Sequence, residues 1–189
     1  MSLALPMVLA VVLAACGQQV PVRSFDPTEA CTTDGQQPGA YPDLEALLPS
    51  EYEGKAPDNV DSGRTCTPEG LGTLAGVVDE VRFAGATWDT SGTGGLTLAV
   101  FTGEGLEPSA MRDFYGAGAQ AARRTEKLVP SDTTVAGKPA KRLDVLQSDG
   151  TGQTIITWQD ADDGPVWVLL AADIGDTKVA EAAEAFASR

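Results

Sequence analysis

The 189-residue chain contains no histidine, and this absence excludes more chemistry than any motif in the sequence adds. Histidine is the most common general base and the most common metal ligand among side chains. Ser-His and Cys-His nucleophilic pairs are therefore excluded, and the serines also lack the Ser-x-x-Lys spacing of lysine-activated nucleophiles. Catalysis by a pair of carboxylates stays open, because such a pair is recognised by its geometry and Asp and Glu are plentiful.

Positive charge is scarce. The chain has 13 Lys and Arg against 27 Asp and Glu, a formal net charge of −14, and residues 1–15 carry none of it. Nucleic-acid binding depends on Lys and Arg neutralising phosphates, so we expect no nucleic-acid partner. Anionic lipid headgroups would repel the same surface. The composition, 42% hydrophobic and 21% charged, is that of a globular protein, and the length predicts a single domain.

Long hydrophobic runs are also few, and the clearest is Leu3 to Ala15, which is too short for the ~20 residues that span a bilayer. It ends in Leu13-Ala14-Ala15-Cys16, which resembles the lipobox of bacterial lipoprotein precursors. The resemblance implies that residues 1–15 are a signal peptide, that the Cys16 thiol is lipidated, and that the chain is cut between Ala15 and Cys16. The mature protein would be anchored by lipid to the extracytoplasmic face of the cell membrane.

One feature departs from the lipoprotein pattern, since no Lys or Arg precedes the apolar run and the first basic residue is Arg23. Either the true start lies upstream of Met1 or the export signal is weak. The alternative to export is an apolar N-terminal helix buried in the domain, with Cys16 as an ordinary core thiol.

Cysteine is rare, with three residues in the chain. If Cys16 carries lipid, Cys31 and Cys66 remain, and an oxidising exported compartment favours a disulfide between them. Two free thiols are the alternative.

The domain boundaries follow from a change in composition near Tyr41. Residues 16–40 are rich in Gln, Pro, Gly, Ser and Thr and predict a tether, of which 17–30 stay free if Cys31 is pinned. Residues 41–189 predict a single α+β ectodomain. Its first part contains short helices over 43–48 and 68–75, separated by a mostly irregular 51–65 with at most one edge strand.

Alternating and apolar segments predict the sheet of this ectodomain. The last three strands form an antiparallel meander, with turns at Asp149-Gly150 and Asp160 to Gly164. Helices begin at Pro108 and Asp176, so the fold class is α+β, a twisted antiparallel sheet with helices packed on it. The predicted strands are Val81–Trp88, Leu96–Phe101, Ala140–Gln147, Gln153–Trp158 and Val166–Ala172.

Over Val81–Arg189, the order strand, strand, helix, meander, helix loosely resembles the PsbP-like domains of secreted bacterial lipoproteins, with Gly137-Lys138-Pro139-Ala140 leading into the meander. The resemblance implies a fold and no specific function, because that fold hosts several functions.

The packing of the helix that begins at Pro108 determines whether a cavity lies between this helix and the sheet. Its inward stripe mixes bulky and small side chains: Met111, Phe114, Tyr115, Gly118 and Ala122. Glycine weakens a helix interior, so we expect Gly116 and Gly118 to be compensated by close approach to the sheet.

Few residues suggest a ligand site. Among Trp88, Trp158 and Trp167, core packing is the ordinary explanation, and Trp88 beside the Gly-rich 89–95 segment is the candidate for ligand binding. Gly103 to Pro108 lacks the third glycine of a dinucleotide fingerprint, and Asp160 to Gly164 lacks the spacing of a calcium loop. We expect no cofactor and no metal.

The leading functional hypothesis is a lipid-anchored, non-catalytic module that binds an envelope protein or another envelope component. A carrier of an apolar or lipid ligand is the first alternative, and a carboxylate-based cell-wall hydrolase is the second. An apolar cavity of several hundred cubic ångströms would favour the carrier, and paired carboxylates in an open cleft would favour the hydrolase.

Overall fold

The computed structural model describes residues 25–89 and 94–188. In this part of the chain, one antiparallel sheet of eight strands carries helices on both faces, which confirms the α+β prediction. Within the same residues, no helix combines the length and the hydropathy needed to cross a membrane. The predicted lipidation site Cys16 and its neighbour Ala15 lie outside the described residues.

The elements follow one another in an order close to the predicted one. A 3₁₀ helix, Gly72–Gly76, directly follows the short helix Pro68–Leu71. The strands are β1 (Gly35–Gln37), β2 (Asn59–Thr65), β3 (Val81–Asp89), β4 (Gly95–Thr102), β5 (Thr125–Val135), β6 (Lys138–Gln147), β7 (Gly152–Gln159) and β8 (Val166–Ala172). The helices are α1 (Pro42–Glu45), α2 (Pro68–Leu71), α3 (Pro108–Ala121) and α4 (Asp176–Ala187).

The strand order is β1-β2-β3-β4-β8-β7-β6-β5, so two antiparallel meanders join where β4 pairs with β8. Helix α3 carries the chain from the middle of the sheet to its far edge, where β5 begins. The central position of β8 explains its composition. Val166 and Val168 are buried on one face of the sheet and Leu169 and Ala171 on the other, because both faces are covered.

Each face of the sheet has its own core. On one face, here called the α4 face, Trp88, Leu98 and Leu169 pack beneath Val179 and Phe186 of α4. The opposite face, here called the α3 face, is covered by α2, the 3₁₀ helix and α3. Its core consists of buried side chains from these elements and from β3, β6, β7 and β8: Leu71, Leu74, Val78, Val81, Leu106, Met111, Leu143, Val145, Ile155, Val166 and Val168.

Two parts of the sheet differ from the sequence prediction. Strand β5 was not predicted, because it is a largely exposed edge strand that contains Pro130, and proline within a run argues against a strand. Strand β2 lies between β1 and β3 and so is not an edge strand, and β1 falls inside the predicted tether 16–40. Backbone pairing with β2 therefore places Gly35–Gln37 in the folded body.

The segment before β1 is also held against the domain. The guanidinium of Arg64, a buried residue, lies 5.3 Å from the centre of the Phe25 ring and donates hydrogen bonds to the carbonyl oxygens of Asp26 and Glu29. Cys31 and Cys66 form the predicted disulfide. The folded body thus includes residues from Phe25 onward, and the part of the predicted tether that precedes it lies outside the described residues.

Candidate functional site

A cavity opens on the α3 face along the C-terminal half of α3. The first turn of this helix is tightly seated, because Met111 is fully buried and the Thr157 hydroxyl donates to the Pro108 carbonyl oxygen at 2.7 Å. Further along, the helix and the sheet enclose a cavity of about 690 Å³, here called the outer chamber. Its apolar lining comes mainly from α3, β7 and β8: Phe114, Tyr115, Ala119, Ala122, Ile155 and Leu170.

A second cavity of about 260 Å³ adjoins the first and lies nearer to β3 and β4. We call it the inner chamber. Its distinctive lining residues are Thr65, Leu74, Val81, Phe83, Phe101 and Met111. Gly70, Phe114 and Tyr115 line both chambers, so the two form one apolar cleft.

Aromatic rings form much of the cleft. Phe114 and Tyr115 meet edge to face with ring centres 5.5 Å apart, at the junction of the two chambers. Phe83 and Phe101, directly paired across β3 and β4, lie 5.9 Å apart. Burial raises the pKa of Tyr115 to about 12, so its phenol is neutral at physiological pH. The cleft therefore presents large, uncharged apolar surfaces.

One wall of the cleft is formed by α2 and the 3₁₀ helix. Residues outside the sheet hold this wall in place. The Thr67 hydroxyl caps α2 by accepting a hydrogen bond from the Gly70 amide at 3.1 Å. The Asp34 carboxylate in turn accepts from the amides of Cys66 and Thr67 at 2.8 and 3.0 Å and from the Thr67 hydroxyl. Together with the disulfide, these bonds tie the wall to the segment before β1.

The close approach of this wall explains one glycine. The Gly70 backbone lies so near the Asp34 carboxylate and the Thr65 hydroxyl that no space is left for a Cβ atom. Burial raises the pKa of Asp34, but the hydrogen bonds from Thr67 and Cys66 outweigh it, and the pKa ends below its ordinary value. Asp34 is therefore ionised at neutral pH, as these contacts require.

The two glycines of α3 behave differently. Gly116 lies against the sheet, since its Cβ position is 3.5 Å from Leu143 Cδ2, and the expected close approach is confirmed there. The same expectation is wrong for Gly118, which is exposed and has no atom within 4 Å of its Cβ position. Gly118 lines the outer chamber instead. Gly118 thus lies on the side of α3 that borders the cleft, whereas Gly116 lies on the side that packs on β6.

A polar groove of about 840 Å³ lies at the other end of the α3 face. Asp79, Glu104 and Asp163 line it together with Glu80, whose carboxylate accepts a hydrogen bond from Arg82 Nε at 2.7 Å. The groove is open and acidic. In the described residues, no three carboxylates or cysteines are grouped so that they could hold a metal ion.

Several carboxyl groups have pKa values that are shifted by their neighbours, and hydrogen bonds determine the direction. The Thr28 hydroxyl and amide lower the pKa of Asp26, and Lys141 lowers that of Asp132. Burial raises the pKa of Asp144, but hydrogen bonds from Arg142 and Thr154 lower it by a larger amount, so the pKa ends below its ordinary value. These shifts are opposite to the raised pKa of a general acid.

The tryptophan predicted as a ligand contact is a core residue. Trp88 is 2% exposed on the α4 face, its Nε1 donates to the Lys55 carbonyl oxygen at 3.1 Å, and its ring lies 5.5 Å from that of Phe186. Trp158 is equally buried and stacks on Trp167 at 6.3 Å. The structure thus places Trp88 and the cleft on opposite faces of the sheet. The 90–93 part of the adjacent Gly-rich segment lies outside the described residues.

The turn Asp160 to Gly164 has a structural role. It joins β7 to β8, and the Asp160 carboxylate accepts hydrogen bonds from Lys138 Nζ at 2.6 Å and from Trp167 Nε1 at 3.2 Å. Gly103 to Pro108 joins β4 to α3. Both segments match their interpretation as connections.

Sequence reasoning missed most of the aromatic lining of the cleft. Phe83 was not singled out, and Phe101 and Leu170 were treated only as members of strands. The register of β3 and β4 could have identified the two phenylalanines, since Phe83 and Phe101 are direct partners on the α3 face of two apolar strands.

Searches of protein-family models, of curated proteins and of solved structures find no match to this chain.

Proposed function

We propose that this protein is a lipid-anchored extracytoplasmic carrier that holds an apolar ligand in the cleft between α3 and the sheet. The observation that carries the proposal is the outer chamber of about 690 Å³, with its apolar lining and its adjoining inner chamber. Pockets of roughly 300 to 1,000 Å³ with mostly apolar lining are typical of small-molecule sites. A ligand gains free energy there by removing apolar surface from water.

The predicted lipid anchor at Cys16 gives the location of the proposed carrier. The lipobox-like Leu13-Ala14-Ala15-Cys16 would attach the protein to the outer side of the cell membrane through acylated Cys16. The Cys31–Cys66 disulfide supports export, because structural disulfides persist in oxidising compartments. A tethered carrier of this kind stays beside the membrane from which apolar molecules are taken or to which they are delivered.

A protein-binding module is the second candidate, and one observation favours it. Val129 and Leu146 are 40% and 42% exposed on the α4 side of the β5–β6 edge, where a partner could cover them. This surface borders a groove of about 580 Å³ whose lining includes Lys127, Arg142, Asp144 and Asp176, whereas the lining of the cleft is mostly apolar. A hydrolase is less favoured, because it would use the carboxylates of the open acidic groove, where Glu80 already accepts a hydrogen bond from Arg82 Nε at 2.7 Å.

The test uses the full anchored chain in lipid nanodiscs. A long-chain alcohol with a diazirine in its alkyl chain is activated by light, and labelled peptides are identified by mass spectrometry. We expect labels to concentrate on the segments that carry Phe101, Phe114 and Leu170. Gly118→Leu should reduce this labelling because its side chain enters the outer chamber.

Ala121→Leu is the matched control, since Ala121 is exposed on the same helix and does not line the cleft. It should leave labelling unchanged. Labels spread evenly over the chain, or unaffected by Gly118→Leu, would contradict the carrier and favour the protein-binding module.

A further inference from the structure

The distribution of polar groups along the cleft restricts the chemistry of its ligand. We propose that the ligand is an amphiphile whose apolar end lies in the inner chamber and whose polar end is not anionic and lies beside Gln147 and Gln153. This inference rests on the proposed carrier function and adds the class of ligand to it.

The inner chamber fits an apolar chain. Apart from Thr65, the side chains that line it are aliphatic or aromatic, and none carries a charge. Thr65 lies at the edge of the chamber next to Gly70. A polar or charged ligand group would lose its hydration there and find few hydrogen-bond partners beyond the hydroxyl groups of Thr65 and Tyr115, so an apolar group binds there more favourably.

The outer chamber ends in two amide side chains. Gln153 pairs with Val145 in the register of β7 and β6, and Gln147 lies two residues beyond Val145, so the two glutamines are diagonal neighbours on the α3 face. In the described structure, neither side chain has a hydrogen-bond partner within the protein, and Gln153 is exposed, so the polar end would lie at the rim that faces solvent. Each amide offers two donors and one acceptor, which match hydroxyl groups in both directions.

Charge excludes an anionic polar end. The charged side chain that lines the cleft is Glu69, an acid. Among nearby cations, Arg124 is paired with Asp149 at 3.2 Å, and Arg123 lies beyond the end of α3, exposed to solvent and outside the lining. An anion at the rim would therefore meet a carboxylate and a chain of net charge −14 without a lining cation to compensate.

The experiment compares probes that share one diazirine-bearing alkyl chain and differ in the polar end. The three ends are glycerol, which is uncharged, sulfonate, which is anionic at any accessible pH, and trimethylammonium, which is cationic. The full anchored chain in nanodiscs is labelled over a range of probe concentrations. We expect half-maximal labelling of the cleft at a concentration about tenfold lower for the glycerol and trimethylammonium probes than for the sulfonate probe, since the sulfonate would lie near Glu69 without a lining cation.

One substitution at the rim and two outside the lining sharpen the result. Gln153→Lys supplies a cation where the polar end lies, and it should raise labelling by the sulfonate probe about tenfold while weakening the glycerol preference. Gln120→Lys, an exposed position of α3 outside the cleft, is the matched control and should change neither probe. Arg123→Gln should also leave the preference unchanged, because Arg123 does not line the cleft.

The outcomes separate this inference from the carrier itself. If all probes leave the cleft peptides unlabelled, both proposals are wrong. If the sulfonate probe labels the cleft as well as the glycerol probe does, the carrier stands and the exclusion of an anionic ligand is wrong. A sulfonate preference that disappears in Arg123→Gln would instead assign Arg123 as the partner of an anionic ligand and overturn the proposal.

Discussion

Gly116 meets Leu143 across the interface between α3 and the sheet, with 3.5 Å from the Cβ position of the glycine to Leu143 Cδ2. Two residues later, the Cβ position of Gly118 faces open space. Residues two apart in a helix point about 200° apart, so the two glycines lie on different sides of α3. The Gly116 side packs on β6, and the Gly118 side borders the open outer chamber.

The first prediction concerns the stability of variants at these two glycines. Gly118→Leu should be neutral or stabilising by up to about 1 kcal/mol, because leucine has the higher helix propensity and meets no neighbour. Gly116→Leu should destabilise by about 1 to 3 kcal/mol, because the added atoms overlap Leu143. Urea unfolding of both variants measures the change in the free energy of unfolding. Equal losses of this free energy would mean that both sides of the helix pack against neighbouring residues.

The strands with clear sequence signals were predicted correctly. Strands β6, β7 and β8 alternate or are apolar throughout, and turns at Asp149-Gly150 and Asp160 to Gly164 separate them. The composition of β8 also indicated its central place, since a strand covered on both faces has apolar residues in both directions. These properties are local and can be recognised in a single sequence.

The elements that were missed depend on partners distant in sequence. Strand β5 is stabilised along its length by pairing with β6, and β1 by pairing with β2. Backbone hydrogen bonds of this kind leave no hydrophobic pattern, so Gly35–Gln37 has the composition of a tether. The same reason explains Phe25, whose position depends on the buried cation of Arg64.

The cleft could not be predicted from periodicity alone. The predicted stripe of α3 was right for Met111, which is buried, but Gly118 and Ala122 are exposed, and Gly116 meets the sheet instead. Close packing is the general tendency of protein interiors, and it led to the wrong expectation for Gly118. The position of Trp88 was misjudged for a similar reason, because its neighbour Phe186 lies on the last helix.

The disulfide should contribute strongly to stability. In the loop-entropy model, closing the loop between Cys31 and Cys66, which are 35 residues apart, contributes about 3 to 4 kcal/mol. The double variant Cys31→Ser, Cys66→Ser should lose this amount in urea unfolding of the exported protein. Both single variants should lose a similar amount, since each breaks the same bond. A loss below about 1 kcal/mol would show that other contacts already fix the segment before β1.

Asp34 should make stability depend on acid pH. Its pKa lies below the ordinary value of about 4 in the folded state, so its contribution is complete above that value and disappears as pH falls through the folded pKa. Asp34→Ala should cost about 1 kcal/mol at pH 7, a figure reduced for solvent screening because Asp34 is exposed. Its cost should decrease as the pH falls below about 4 and through the folded pKa.

The measurement is urea unfolding of the Asp34→Ala variant and the unmodified protein at pH 7 and pH 2. Asp162→Ala is the control, since Asp162 is an exposed acid on the β7–β8 turn. A cost for Asp34→Ala that stays constant between pH 7 and pH 2 would mean that the carboxylate charge does not stabilise α2.

The variant Trp88→Phe tests whether Trp88 is a core residue or a residue that contacts ligand. The substitution removes the hydrogen bond from Nε1 to the Lys55 carbonyl oxygen and part of the packing against Phe186, on the α4 face. We expect the free energy of unfolding to fall by about 1 to 3 kcal/mol, the usual range for a lost buried hydrogen bond together with smaller side-chain volume. Photolabelling of the cleft should stay unchanged, because the sheet lies between Trp88 and the inner chamber. A labelling loss of tenfold with little loss of stability would instead restore Trp88 as a residue that contacts ligand.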